Sequence, residues 1–149
     1  MIVATPGMEE SAATRRGRIG FDTAIGYLEG GMEAVRDRPD FVRRIDRITA
    51  PALRDLLESA PLPVVDVRFE REWRQEAIPG SINIPLNQLR QRIAEIPTDR
   101  PVVVYCQSGQ RSSTAASLLV QAGYTHILDL IGGIGAWKVS SAQGVTQHV

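Results

Sequence analysis

Short runs of β-branched residues alternate with longer stretches of helical spacing from about Val42 onward. Such alternation predicts an α/β domain on a parallel sheet. A first strand is expected over 44–48. Thr49 then offers an N-cap oxygen and Pro51 suits a first helical turn, so a helix should run to about Ser59. Pro61 and Pro63 bracket a turn before the apolar run Val64-Val65-Asp66-Val67, which reads as a buried strand. A short helix is expected over 70–75, a turn at Ile78-Pro79-Gly80 and a strand over 81–84. Leu86, Leu89, Ile93 and Ile96 have helical spacing, predicting a helix over 86–96. Pro101-Val102-Val103-Val104-Tyr105 is the most apolar strand, as expected at the centre of a sheet covered on both faces. It runs straight into Cys106. A helix over 112–122 stopped by Gly123, a strand over 126–130 and a short helix opened by Gly132-Gly133 complete the pattern. From Ser140 onward no periodicity remains, and a loosely held tail is expected.

The first forty residues echo the second half of that pattern. Ala12-Ala13 and Gly20-Phe21 line up with Ala115-Ala116 and Gly123-Tyr124. With a one-residue insertion, Leu28-Glu29-Gly30-Gly31 then lines up with Leu130-Ile131-Gly132-Gly133. Residues 1–40 therefore read as the back half of a degenerate copy of the module in 41–140, with 141–149 as a tail. In the first copy, Ala4-Thr5-Pro6-Gly7-Met8-Glu9-Glu10 stands where the Cys106 loop stands in the second. Its strands, at Ile2-Val3-Ala4 and near Ala24-Ile25-Gly26, would lack their usual neighbours. Such open edges are expected to pair in a homodimer or to dock on the intact domain.

Composition narrows the function. The chain has 149 residues, with 17 Lys+Arg against 17 Asp+Glu. That balance argues against nucleic acid or an anionic membrane as main partner. No apolar run approaches the ~20 residues of a membrane span. Gly7, Glu9 and Glu10 interrupt any secretory signal pattern. One Cys allows neither an internal disulfide nor a multi-thiolate metal site, so no metal or cofactor is expected and a reducing, cytoplasmic setting is.

The chemistry concentrates at Cys106-Gln107-Ser108-Gly109-Gln110-Arg111-Ser112. A strand turning into a helix through a short loop can aim successive backbone N–H groups at one point, forming an anion-binding nest. The helix dipole adds to this, and both favour thiolate over thiol. Gly109 permits the tight bend, Arg111 adds a permanent positive charge, and Ser112 is expected to cap the helix and donate its hydroxyl to a bound anion. A lone Cys is more often inert core, but the polar, Gly-containing loop and the Arg favour a reactive one. Asp66 and Arg68, at the end of a neighbouring strand, can orient the loop or form a structural ion pair, the latter being favoured. His126, expected within a strand, and His148, in the tail, read as structural or solvated. Trp73 and Trp137 read as packing residues.

These motifs resemble the rhodanese homology domain over roughly 42–138. The matching residues are Asp66-Val67-Arg68, Glu72-Trp73 and Ile78-Pro79-Gly80-Ser81-Ile82-Asn83-Ile84-Pro85, then Val104-Tyr105-Cys106 through Ser112, and Gly132-Gly133-Ile134-Gly135-Ala136-Trp137. Glu76-Ala77 departs from the family's usual Gly-His. The resemblance implies a five-stranded parallel sheet flanked by helices, with the Cys loop at its carboxyl end. It also implies a sulfurtransferase, in which a Cys106 persulfide carries sulfur from thiosulfate or a low-molecular-weight persulfide to a thiol or cyanide. Related phosphatases and arsenate reductases have one more residue in the loop. The four residues between Cys106 and Arg111 fit a cradle for one sulfur atom. A non-turnover sulfur carrier or persulfide- or redox-sensing module is the alternative. The first forty residues resemble the middle of proteins joining a metallo-β-lactamase-like persulfide dioxygenase to rhodanese modules. Association with such a dioxygenase is therefore a further expectation.

Overall fold

The computed structural model of the chain describes residues 1–17, 25–38 and 40–144. It divides into two compact units, Met1–Arg44 and Ile45–Val149. Gly20, Phe21 and Ala24 of the first-copy comparison, and His148, lie outside the described residues.

In the first unit, helix α1 (Glu9–Gly17) follows a turn in which Gly7 has φ +85°, and a 3₁₀ turn spans Gly31–Val35. Full strands were expected on either side of α1. Between them the structure has one parallel bridge, Ile2 with Tyr27. The Ile2 N–H donates to Gly26 O at 2.9 Å and the Leu28 N–H to Ile2 O at 2.8 Å.

The second unit is the five-stranded parallel sheet. Its elements are β1 (Asp46–Ile48), α2 (Ala50–Ser59), β2 (Val64–Asp66), α3 (Glu70–Gln75), β3 (Ile82–Asn83), α4 (Leu89–Arg92), β4 (Val102–Tyr105), α5 (Gln110–Gln121), β5 (Ile127–Leu130) and α6 (Gly133–Gly144). The strand order is β1-β5-β4-β2-β3, every pair parallel, which puts β4 at the centre. Because side chains alternate along a strand, β4 feeds both faces. Val102 and Val104 join Leu89, Ala115, Ala116 and Leu119 on the side of α4 and α5. Val103 and Tyr105 join Ala50, Leu53, Leu130 and Ile134 on the side of α2 and α6.

Local chemistry sets the helix starts. The Thr49 hydroxyl oxygen accepts from Ala52 N at 3.4 Å, with Pro51 in the first turn. Four expectations are corrected. The 86–96 segment is not one helix: a turn through Gln88 N–H to Pro85 O (2.7 Å) precedes α4, and Ile93–Glu95 closes as 3₁₀. Helix α5 begins at Gln110, two residues earlier than expected, because Gly109 takes the N-cap at φ +114°. His126 precedes β5, exposed, at the end of the sheet opposite Cys106, although its carbonyl accepts from Val102 N. Residues 140–144 continue α6 rather than forming a tail, since Ser140 Oγ accepts from Arg54 Nε at 3.0 Å and donates to Trp137 O.

Candidate functional site

The site lies where β4 ends. Tyr105 is the last strand residue, and Cys106 begins the turn into α5. Tyr105 is fixed from the side: its hydroxyl accepts from Ile78 N (3.1 Å) and shares a 3.1 Å bond with Ser81 Oγ, which accepts from Trp73 Nε1. Burial pushes the Tyr105 phenol up to about 12, so it stays neutral. The Ile78-to-Ser81 turn, anchored this way, packs beneath the strand.

The loop backbone is held from its other side by α6. The Ile134 N–H donates to Cys106 O at 2.9 Å and the Gly135 N–H to Gln107 O at 3.4 Å. With those carbonyls engaged, the loop's own N–H groups are left to face the sulfur. Gly133 sits so close that a Cβ there would overlap Cys106 O. Its φ of +57° is also one that side chains rarely adopt.

Cys106 Sγ receives the Gly109 N–H at 3.1 Å. The residue is 1% exposed, beneath exposed Gln107, Ser108 and Gln110. Burial alone would push its thiol up. The Ser112 N–H and hydroxyl, with the N–H groups of Gly109 and Ser108, outweigh that and hold it below its ordinary value. Ser112 is not the cap that was expected. It lies within the first turn of α5, fully buried, and its hydroxyl oxygen is 3.1 Å from Gly109 O. Ser113 Oγ lies 2.9 Å from Gly109 O and 3.2 Å from Asp129 Oδ2 on β5, bracing the same turn.

Arg111 does not point its charge freely into the loop. Its Nη1 and Nη2 donate to Glu72 Oε2 and Oε1 at 2.8 and 2.9 Å, a bidentate pair. Glu72 also accepts from Phe69 N, closing the first turn of α3. The guanidinium holds the Glu72 carboxyl down at about 2. Phe69, half-exposed, has its ring centroid 5.9 Å from Arg111 Cζ and forms the lip of the site. Glu72 is a site residue whose role the sequence does not disclose. Its partner is far along the chain, and the only local signal is its place three residues after Phe69.

Asp66 and Arg68 form the buried pair expected of them. Arg68 donates through Nε and Nη2 to the Asp66 carboxylate at 2.7–3.0 Å, and through Nη2 to Glu76 O at 2.6 Å. Nη1 also reaches Gln107 Oε1 at 3.5 Å, so the pair braces the loop's outer edge. Asn83 Nδ2 secures the same corner by donating to Asp66 O and Arg68 O. Glu76, which departs from the family's usual residue, forms an ion pair with Lys138 at 3.0 Å.

The arrangement is a thiol at the floor of an amide cradle, biased toward thiolate, with one neutralised Arg at its rim. A family model for the rhodanese-like domain matches residues 49–140. The chain belongs to the rhodanese-like domain family. It is similar to a sulfurtransferase of Allochromatium vinosum, 43% identical over 55% of this chain and 77% of that one. It is also similar to thiosulfate sulfurtransferase PspE of Escherichia coli, 42% identical over 42% of this chain; the match spans just under two thirds of PspE, 62%. Among solved structures, a rhodanese-related protein of Thermoplasma volcanium matches with a TM-score of 0.59 and 34% identity, over 64% of this chain and 92% of that one. Among the described residues of this rhodanese-family chain, no helix is long and apolar enough to cross a membrane.

Proposed function

We propose that the chain is a sulfurtransferase in which Cys106 accepts a sulfane sulfur from thiosulfate or a low-molecular-weight persulfide and passes it to a thiol. The observation that carries this reading is the Cys106 loop. A sulfur whose thiol value is lowered by the surrounding N–H groups receives a backbone N–H at 3.1 Å in a loop with four residues between Cys106 and Arg111. In the first step the Cys106 thiolate attacks the donor's sulfane sulfur. The new Sγ–S bond forms as the donor's S–S bond breaks, and the electron pair leaves on sulfite or on a thiolate. The Cys106 persulfide then carries its negative charge on the terminal sulfur. The loop N–H groups and the N-terminus of α5 stabilise that charge. In the second step an acceptor thiolate, or cyanide in an assay, attacks the terminal sulfur and Cys106 leaves as thiolate. The cycle is neutral in electrons, and no general base is needed where the thiolate is already populated.

Intact-mass measurement after exposure to thiosulfate, and separately to glutathione persulfide, tests the reading. One added sulfur is expected on the chain and none on Cys106→Ser, whose far-UV circular dichroism should be unchanged. A Cys106→Ser chain that still takes up sulfur would overturn the assignment. Steady-state turnover with a thiol acceptor is expected, and a reaction that stops after one equivalent would make the chain a carrier instead.

A further inference from the structure

The described part of the first unit repeats several backbone features of the second half of the rhodanese domain. The Ile2–Tyr27 bridge occupies the register of the Val104–Asp129 pair of β4 and β5, at a constant offset along the chain. At the same offset, Gly7 matches Gly109, and Gly30-Gly31 (φ +74° and +59°) match Gly132-Gly133 (φ +73° and +57°). A Cβ on Gly31 would overlap Ala4 O, as one on Gly133 would overlap Cys106 O. Ala4 thus stands where Cys106 stands, and the two glycine corners close on equivalent carbonyls.

What differs is the cover. In the second unit Val103, Tyr105, Leu130 and Ile134 are 0–1% exposed, beneath Ala50 and Leu53 of α2. Strands β1 and β2 flank β5 and β4 on either side. At the matching positions of the first unit, Met1 is 69% exposed, Val3 45% and Met32 59%. With Leu28, Val35 and Phe41 they line an open apolar groove of about 530 Å³. An apolar patch this continuous marks an interaction surface.

We propose that this groove docks a strand–helix–strand segment from outside residues 1–149, with Ala and Leu along one helix face, of the kind that residues 45–66 form here. The repeat supplies the identity of the occupant: the matching face of the second unit is covered by that segment. A second copy of this chain does not fit the role, because its own 45–66 segment is engaged, with Leu53 fully buried. Docking would complete a second module with Ala4 in place of the thiol. The surface therefore recruits a partner without adding a second reactive centre.

The test uses the full, isotopically labelled chain and a synthetic peptide of sequence IDRITAPALRDLLESAPLPVVD, residues 45–66 of the chain itself. Saturable NMR shift changes are expected at Val3, Leu28, Met32 and Val35, with the Cys106 loop unmoved. Val3→Asp and, independently, Met32→Lys should each weaken binding by about tenfold or more. Ile25→Asp, at a position 94% exposed and outside the groove, should leave binding unchanged. The proposal is overturned by absence of shifts in the first unit at millimolar peptide, by equal binding of a scrambled peptide, or by binding that survives both groove variants. Self-association of the free chain that Val3→Asp abolishes would assign the groove to a second copy and overturn it equally.

Discussion

Glu72 and Arg111 bind each other through two hydrogen bonds, at 2.8 and 2.9 Å. With a depressed Glu72 carboxyl, the pair's contribution to stability is fully present above the ordinary carboxylate value of 4.5 and is lost as pH falls toward about 2. Both side chains are about a quarter exposed, so solvent screening limits the pair to roughly 1 kcal/mol. Glu72→Gln should lower stability in denaturant titrations by about that amount at pH 7 and flatten the dependence between pH 4.5 and 2. The same variant frees the Arg111 charge, and KM for thiosulfate should fall relative to KM for a neutral alkyl persulfide. An unchanged ratio would show that Arg111 does not meet the donor. Cys106 has a lowered thiol value. The rate of persulfide formation should therefore rise with pH and level off below the ordinary 9.0, as followed by stopped-flow alkylation or mass.

At the scale of elements, the loop is shaped by the start of α6 as much as by the start of α5. Gly133→Ala introduces a strained positive φ and displaces Cys106 O, for a cost of about 3 kcal/mol or more and near-complete loss of sulfur transfer. Gly80→Ala is the control: φ is +78°, but the space is open, so about 1 kcal/mol and retained activity are expected in thermal melts and assays. What could be read from the sequence follows the same division. The central place of β4 and the reactive loop were legible because run length, β-branching and the Gly109 bend are local signals. The break before α4, the extension of α6 to Gly144 and the role of Glu72 were not. The last two depend on tertiary partners: Ser140 on Arg54, and Glu72 on Arg111. Ser112 misled for a related reason. Its sequence position suits a cap, but Gly109 takes the cap and the hydroxyl turns back to Gly109 O.

For the molecule as a whole, two units of unequal size should not open together. A unit of 44 residues whose described residues have a single bridge and an exposed apolar groove has little core to resist local opening. Hydrogen exchange should therefore be fast at Ile2 and Leu28 and slowest at Val103, Val104 and Leu128. Uniform protection across both units would refute this. The 1% exposure of Cys106 has a consequence of another kind for the proposed transfer. A sulfur attached there would extend outward from a buried residue toward the exposed loop residues Gln107, Ser108 and Gln110. Acceptors would then be sorted by girth: slender thiols and cyanide would pass, and thiols branched next to sulfur would be turned away. Bulky oxidants would be met by backbone rather than by the stored atom, which would make the loop a container as well as a relay.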